Sequence, residues 1–322
     1  MLHLRMISPT ETTEKVLAVL SGDPGVTHVT LVRGAALEPA GDLVQADVAR
    51  EAANDVLADI TALGVTHTGG ITLNPVETVL SDAGERAVEE APGDPTDAVV
   101  WEELLAQTHE ESTLNLTFLA FLTIACLLAA VGVATDSPVT IVGAMVVGPE
   151  FGPLAAFAVG LVRRDFRLAR RSAIALAVGF PVAMLITLAA TLAWEQFGWI
   201  TIEGIESIRN VDFIYEVGPF SLVVALLAGA AGMLSVVTSK SAALIGVFIS
   251  VTTVPAAGFA VVAATLGEWH VAFMSAGQLA VNLAGIVVAG VLVLELRPGA
   301  GSDLGPIARF QRWLATRSPV GK

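Results

Sequence analysis

Residues 143–160 read GAMVVGPEFGPLAAFAVG, an apolar run whose one charge is Glu150. Pro149 and Pro153 each remove a hydrogen bond from any helix running through this stretch. Gly148 and Gly152 beside them let the backbone bend or let another element approach closely. In hydrocarbon, the freed backbone groups must be covered by protein or water, and an ionised carboxylate is costly unless paired or protonated. Glu150 is therefore expected to face the protein interior or a wet cavity, where it can carry a proton or hold a cation. The alternative is a kink near the cytoplasmic headgroups, with Glu150 at the membrane surface.

A milder interruption follows in SKSAALIGVFISVTTVPAAG, residues 239–258, where Pro255 is flanked by Thr252, Thr253 and Gly258. The threonine hydroxyls can bond the carbonyls that Pro255 frees. The candidate solute- or ion-binding set is thus Glu150, Gly148, Pro149, Gly152, Pro153, Thr252, Thr253 and Pro255. Asn115, Asn282 and Glu295 are set aside as residues near span ends or as helix-to-helix glue. No catalytic residue, metal site or cofactor is expected: nucleophile–base pairs and phosphate loops are missing, and the five histidines are scattered. The single cysteine, Cys126, lies in an apolar run and reads as a packed thiol.

These motifs sit in a chain with 54% hydrophobic and only 15% charged residues, and a mean hydropathy of +0.72. That composition points to an integral membrane protein. Residues 1–111 hold 20 acidic and 5 basic side chains, whereas residues 112–322 hold 11 and 12. The acidic front disfavours nucleic acid and anionic lipid as partners of that domain. The N-terminus has no long apolar stretch of the signal-peptide kind, so the spans are expected to direct insertion.

Six apolar segments are long enough to cross a bilayer: about 114–135, 138–162, 172–197, 220–237, 242–266 and 271–294. Only Asp136 and Ser137 separate the first two, which implies a tight hairpin or a re-entrant segment. The loop 163–171, RRDFRLARR, carries five arginines and is expected to be cytoplasmic. An even span count then puts both termini inside, with Arg209 the one basic residue outside. Trp194, Trp199, Tyr215 and Trp269 fall near the outer interface. The interrupted segments are the second of the first three and the second of the last three. That placement suggests an inverted three-helix repeat, a common setting for a midplane binding site.

The front alternates short β-branched runs with helical periodicity. His3–Ile7, 26–37, 42–49 and 65–73 read as strands, and helices start near Thr10 or Thr12 and span 50–64, with Gly64 as the C-cap. This β-α-β-β-α-β order is the ferredoxin-like arrangement. His28 and His67, both in Val-Thr-His triplets, read as surface residues at strand starts or as a shared ligand or metal site. An amphipathic helix over about 96–111, with Trp101, Leu104 and Leu105 on one face, is expected to lie near the membrane interface. The fold class is α+β: a soluble ferredoxin-like domain (1–80), an acidic linker and helix (81–111), an all-helical six-span domain with broken helices (112–296), and a cytoplasmic tail (297–322).

GAMVVGPEFGP (143–153) resembles the Gly-Ala-Met…Pro…Gly-Pro signature of the bacterial membrane family catalogued as domain of unknown function 389. SAALIGVFISVTTVPAAG (241–258) resembles its later Ser-x-Ala-x-x-Gly…Pro-Pro segment, and QLAVNLAGIVVAG (278–290) its Ala-Asn-Leu last span. The resemblance extends over nearly the whole chain. It implies a multi-pass membrane protein and assigns no activity. Two positions depart from it: Glu150 stands where an apolar residue is usual, and Val254-Pro255 replaces paired prolines.

The expected function is a transporter or channel for a small solute or ion, in a bacterial cytoplasmic membrane. The other reading is a membrane-anchored sensor or oligomeric scaffold whose cytoplasmic domain binds a metabolite or partner. Expected partners are the lipid bilayer and further copies of the chain in a homo-oligomer, with the solute or ion unidentified.

Overall fold

The computed structural model describes residues 1–76, 78–92, 99–199, 219–238, 247 and 252–296. Residues 1–104 and 105–295 form separate compact units.

The first unit is built on a four-stranded antiparallel sheet: β1 (Leu2–Ser8), β2 (Val26–Leu37), β3 (Ala40–Val48) and β4 (Gly70–Pro75). The order β2-β3-β1-β4 puts the first and third strands at the centre, as in the ferredoxin-like arrangement. Alternation along β1 buries Leu2, Leu4 and Met6, which meet Val44, Ala46 and Val48 of β3 and close on α1 (Thr10–Gly22) and α2 (Ala53–Ala62). Gly64 has a φ of 79°, the left-handed conformation expected of a residue that stops a helix.

Two local expectations are corrected here. Residues 65–73 are not one strand: Val65–Thr68 form a short helix, α3, and the strand starts only at Gly70. The amphipathic stretch near 100 also packs differently. Helix α4 (Asp82–Glu90) precedes it, and α5 spans Trp101–Glu111. Asn54 of α2 donates to the Val99 carbonyl at 2.6 Å and accepts from the Trp101 N–H at 3.1 Å. Val100 joins the core of the first unit, and Trp101 and Leu104 are buried. Val100, just ahead of this helix, thus serves the core of the first unit.

The second unit is helical: α6 (Leu116–Ala134), α7 (Pro138–Val147), α8 (Phe151–Val162), α9 (Phe166–Gln196), α10 (Pro219–Val237), α11 (Thr253–Thr265) and α12 (Trp269–Leu296). Among the described residues four helices are long and apolar enough to span, and α7 with α8, bent by 48° at their break, together form a broken span or a re-entrant loop. Of the expected segment 242–266, α11 is the described part; residues 239–246 and 248–251 lie outside the described residues, as do the 200–218 loop with Arg209 and Tyr215 and the 297–322 tail. The third span starts earlier than expected. Asp165 accepts hydrogen bonds from the N–H groups of Arg167 and Leu168, so most of the arginine-rich stretch, from Phe166 on, is already the beginning of α9.

Small residues bring these helices together, since hydrocarbon offers no hydrophobic drive for association. Gly258 of α11 is the clearest case: a Cβ there would lie 2.6 Å from the Ala129 Cβ and 3.1 Å from the Cys126 carbonyl of α6. Cys126 is a buried free thiol within the same core.

Candidate functional site

Helix α7 stops at Val147, Gly148 turns out of helical geometry with a ψ of 126°, and α8 starts after Glu150. The non-helical break is thus confined to Gly148, Pro149 and Glu150. Gly152 and Pro153, also expected in the break, lie in the first turn of α8. Proline is tolerated in a first turn because the early N–H groups have no intrahelical partner. The ten residues of α7 rise about 15 Å, half of a hydrocarbon core of about 30 Å.

Helix α11 opens the same way. Thr252 is its N-cap residue and Pro255 its third residue, as Glu150 and Pro153 are for α8. The two starts meet. The Thr253 hydroxyl donates to Glu150 Oε1 at 2.5 Å, and a Cβ on Gly148 would lie 2.8 Å from Val254. From there the helices run to opposite ends of the unit. Helix α8 ends at the 163–165 turn, while α11 ends beside the far end of α9, where the Thr265 and Thr191 hydroxyls are 2.8 Å apart.

A chain of polar groups continues from this meeting point. Asn282 Nδ2 of α12 donates to the Thr252 hydroxyl at 2.9 Å, and Gln278 Nε2 donates to Asn282 Oδ1 at 3.1 Å. Ser275 donates to the Ala256 carbonyl at 2.8 Å. The bonds Thr252 and Thr253 make among the described residues are to side chains of other helices, whereas the carbonyl four residues before Pro255, at position 251, lies outside the described residues. Glu150 is 6% exposed, and Thr253, Ser275, Gln278 and Asn282 are buried as well. Within this polar network two acceptors are buried without a hydrogen bond, Glu150 Oε2 and Gln278 Oε1; elsewhere among the described residues Asp42 Oδ2 and both Glu51 carboxylate oxygens are buried in the same way.

Asn282 is thus not near a span end but in the middle of α12. Ser275, Gln278 and Asn282 were not among the expected site residues. Their spacing of three and then four residues puts them on one helical face, a polar stripe in an apolar span that periodicity alone can find. Asn115 caps α6 through the Phe118 N–H at 2.7 Å, and Glu295 lies in the last turn of α12.

The first unit holds a second network, also missed. His3 Nδ1 lies 2.8 Å from Asp47 Oδ1, His28 Nδ1 lies 2.7 Å from Asp47 Oδ2, and His28 Nε2 lies 2.9 Å from the Ser81 hydroxyl. An ionised Asp47 only accepts, so both Nδ1 atoms carry the proton, and a neutral His28 accepts from Ser81. Burial opposes ionisation of Asp47, but the hydrogen bonds and charge of His3 and His28 outweigh it and hold the carboxyl below its usual range. Ser81 also accepts from the N–H groups of Ala83 and Gly84. That accounts for the serine as the cap of α4, fastened to the sheet. His28 lies on β2 with a φ of 51°, and His67 lies on α3, so they do not form the shared pair weighed above. Among the described residues no cluster of three or more His, Cys, Asp or Glu has metal-site geometry.

A ferredoxin-like unit ahead of several apolar spans, one of them broken, defines a multi-pass membrane protein. Residues 145–288 match the family described as "Domain of unknown function (DUF389)". The match starts just before the break and ends within α12. It therefore lies inside the membrane part, whereas the resemblance read from the sequence extended over nearly the whole chain. The chain is also similar to an uncharacterized protein of Methanocaldococcus jannaschii, at 24% identity over 209 residues, which is 62% of each chain. This relative is archaeal, so a bacterial source is not established. No solved structure matches.

Proposed function

We propose that the protein is a transporter or channel that moves a small solute or ion through the membrane, with its site where α8 and α11 begin. The observation that carries this reading is Glu150: a buried carboxylate with one oxygen unpaired, at the meeting of two half-helices. Interrupted helices whose ends meet at membrane depth are a recurrent way to build a transport site, and an intramembrane carboxylate is a functional residue by default. The two unpaired atoms of this network, Glu150 Oε2 and Gln278 Oε1, are both acceptors, so the missing partner is a proton, a cation or an N–H or O–H group of a solute.

The orientation that fits the site is the one set by the arginines, with both termini on the cytoplasmic side of a cell membrane. Copies of the chain assemble through the first unit in this reading. Its edge strand β2 exposes Val29, Val32 and Leu37, a surface suited to pairing.

Flux in reconstituted vesicles tests the proposal. The expected result is proton, cation or solute flux above that of empty vesicles, with Glu150→Gln folding normally but losing pH dependence or coupling. Wild-type flux equal to empty vesicles for every ion and solute tried contradicts it.

A further inference from the structure

The arginines at the start of α9 form a second site that the transport reading does not use. Residues 163–171 place Arg163, Arg164, Arg167, Arg170 and Arg171 around a single acid, Asp165, in a chain whose formal net charge is −14. The electrostatics of this element are adverse on their own. Arg167 and Arg171 are one turn apart, a repulsive i,i+4 pair. All three helical arginines lie in the first two turns of α9, where the helix dipole disfavours cations. Among the described residues neither Arg167 nor Arg170 has an ion-pair partner. An anion removes each of these penalties.

The cluster is also shaped. Arg167, Arg170 and Arg171 line one groove of about 540 Å³ together with Leu114, Phe166 and Ile174. Arg171 is held in place: it donates to the Thr113 hydroxyl at 2.5 Å, and its other terminal nitrogen lies 3.2 Å from His109 Nε2. The apolar walls are open, with Phe166 71% and Ile174 43% exposed. Helix α9 has 31 residues and is about 46 Å long, some 15 Å more than a hydrocarbon core of about 30 Å. That excess, with three arginines in the first two turns, fits a helix whose start stands at headgroup depth and whose Ile174 opens the acyl region.

We propose that this groove binds an anionic phospholipid, with the phosphate on Arg167, Arg170 and Arg171 and the acyl chains along Phe166 and Ile174. The guanidiniums recognise phosphate by paired N–H donors. The open apolar walls select a lipid over a soluble phosphate, and basic pockets between spans are known lipid-headgroup sites.

Native mass spectrometry of the full chain in detergent tests this, with phosphatidylglycerol, phosphatidylcholine and inorganic phosphate as probes. Wild-type protein should retain phosphatidylglycerol at least about tenfold better than phosphatidylcholine. The Arg167→Gln/Arg170→Gln double variant should lose about 30-fold in phosphatidylglycerol retention and leave phosphatidylcholine unchanged. Arg167→Lys/Arg170→Lys should keep most of it, and millimolar inorganic phosphate should not displace the lipid. Equal retention of the two lipids by wild type overturns the proposal without need of any variant. Unchanged retention in the Gln variant also overturns it, and so does displacement by free phosphate, which would mark an ordinary anion site.

Discussion

Asp47 in the soluble unit and Glu150 in the membrane unit are both drawn into hydrogen-bonded networks, yet only Asp47 has both oxygens taken. His3 serves one and His28 the other, and the network ends on Ser81 as the cap of a helix. Glu150 has Thr253 on Oε1 and no partner on Oε2, in the more deeply buried position. A complete polar network fixes a structure; an incomplete one in low dielectric is costly until something completes it. Under the transport reading proposed above, the difference separates a carboxylate that holds a fold from one that receives a proton, an ion or a solute.

The comparison can be broken first at Gly148. A Cβ there would lie 2.3 Å from Glu150 Oε2 and 2.8 Å from Val254. Gly148→Val should destabilise the membrane unit by about 2–3 kcal/mol, read as a lower Tm in detergent, and abolish flux. An unchanged Tm would show that the break is loosely packed. Next is Thr253→Val, which removes the one side-chain donor to Glu150 among the described residues. A loss of about 1–2 kcal/mol is expected, with pH-dependent flux altered while α11 stays folded. A smaller effect, about 0.5–1 kcal/mol, is expected of Asn282→Leu, which frees Gln278 and Thr252 together. If Asn282→Leu stabilises the protein and leaves flux intact, the polar chain is helix glue.

The smallest effect belongs to Asp47. Its carboxyl titrates below the unfolded value, so its contribution is present above about pH 4 and is lost as pH falls through the folded value. Asp47→Asn should cost up to about 0.5 kcal/mol at neutral pH and flatten the acid limb of the unfolding curve for the first unit. An acid limb identical to wild type would show that His3 and His28 add nothing to the carboxylate.

The break was legible because proline, glycine and a lone charge are conspicuous in apolar sequence, and each acts locally. The sheet order was legible too, from period-two runs and turn residues. What a threonine bonds was not, since Thr253 chose a carboxylate on another helix over the nearby backbone. Nor was the Asp47 network, whose members come from β1, β2, β3 and the cap of α4. Residues 65–68 misled because Gly-Val-Thr-His occurs twice, once opening β2 after Gly25 and once as the helical turn after Gly64, whose left-handed φ ends α2. The start of α9 was hidden by reading RRDFRLARR for charge alone, when Asp165 is also a helix cap.

Carbodiimide labelling of the intact protein in membranes, mapped by peptide mass spectrometry, tests the contrast most directly. An apolar carbodiimide attacks a protonated carboxyl in a dry site and spares a carboxylate held by two histidines. The expected result is modification at Glu150, absent in Glu150→Gln and reduced by the transported ion or solute, with Asp47 unmodified. Glu150 left unmodified while Asp47 reacts would contradict the account.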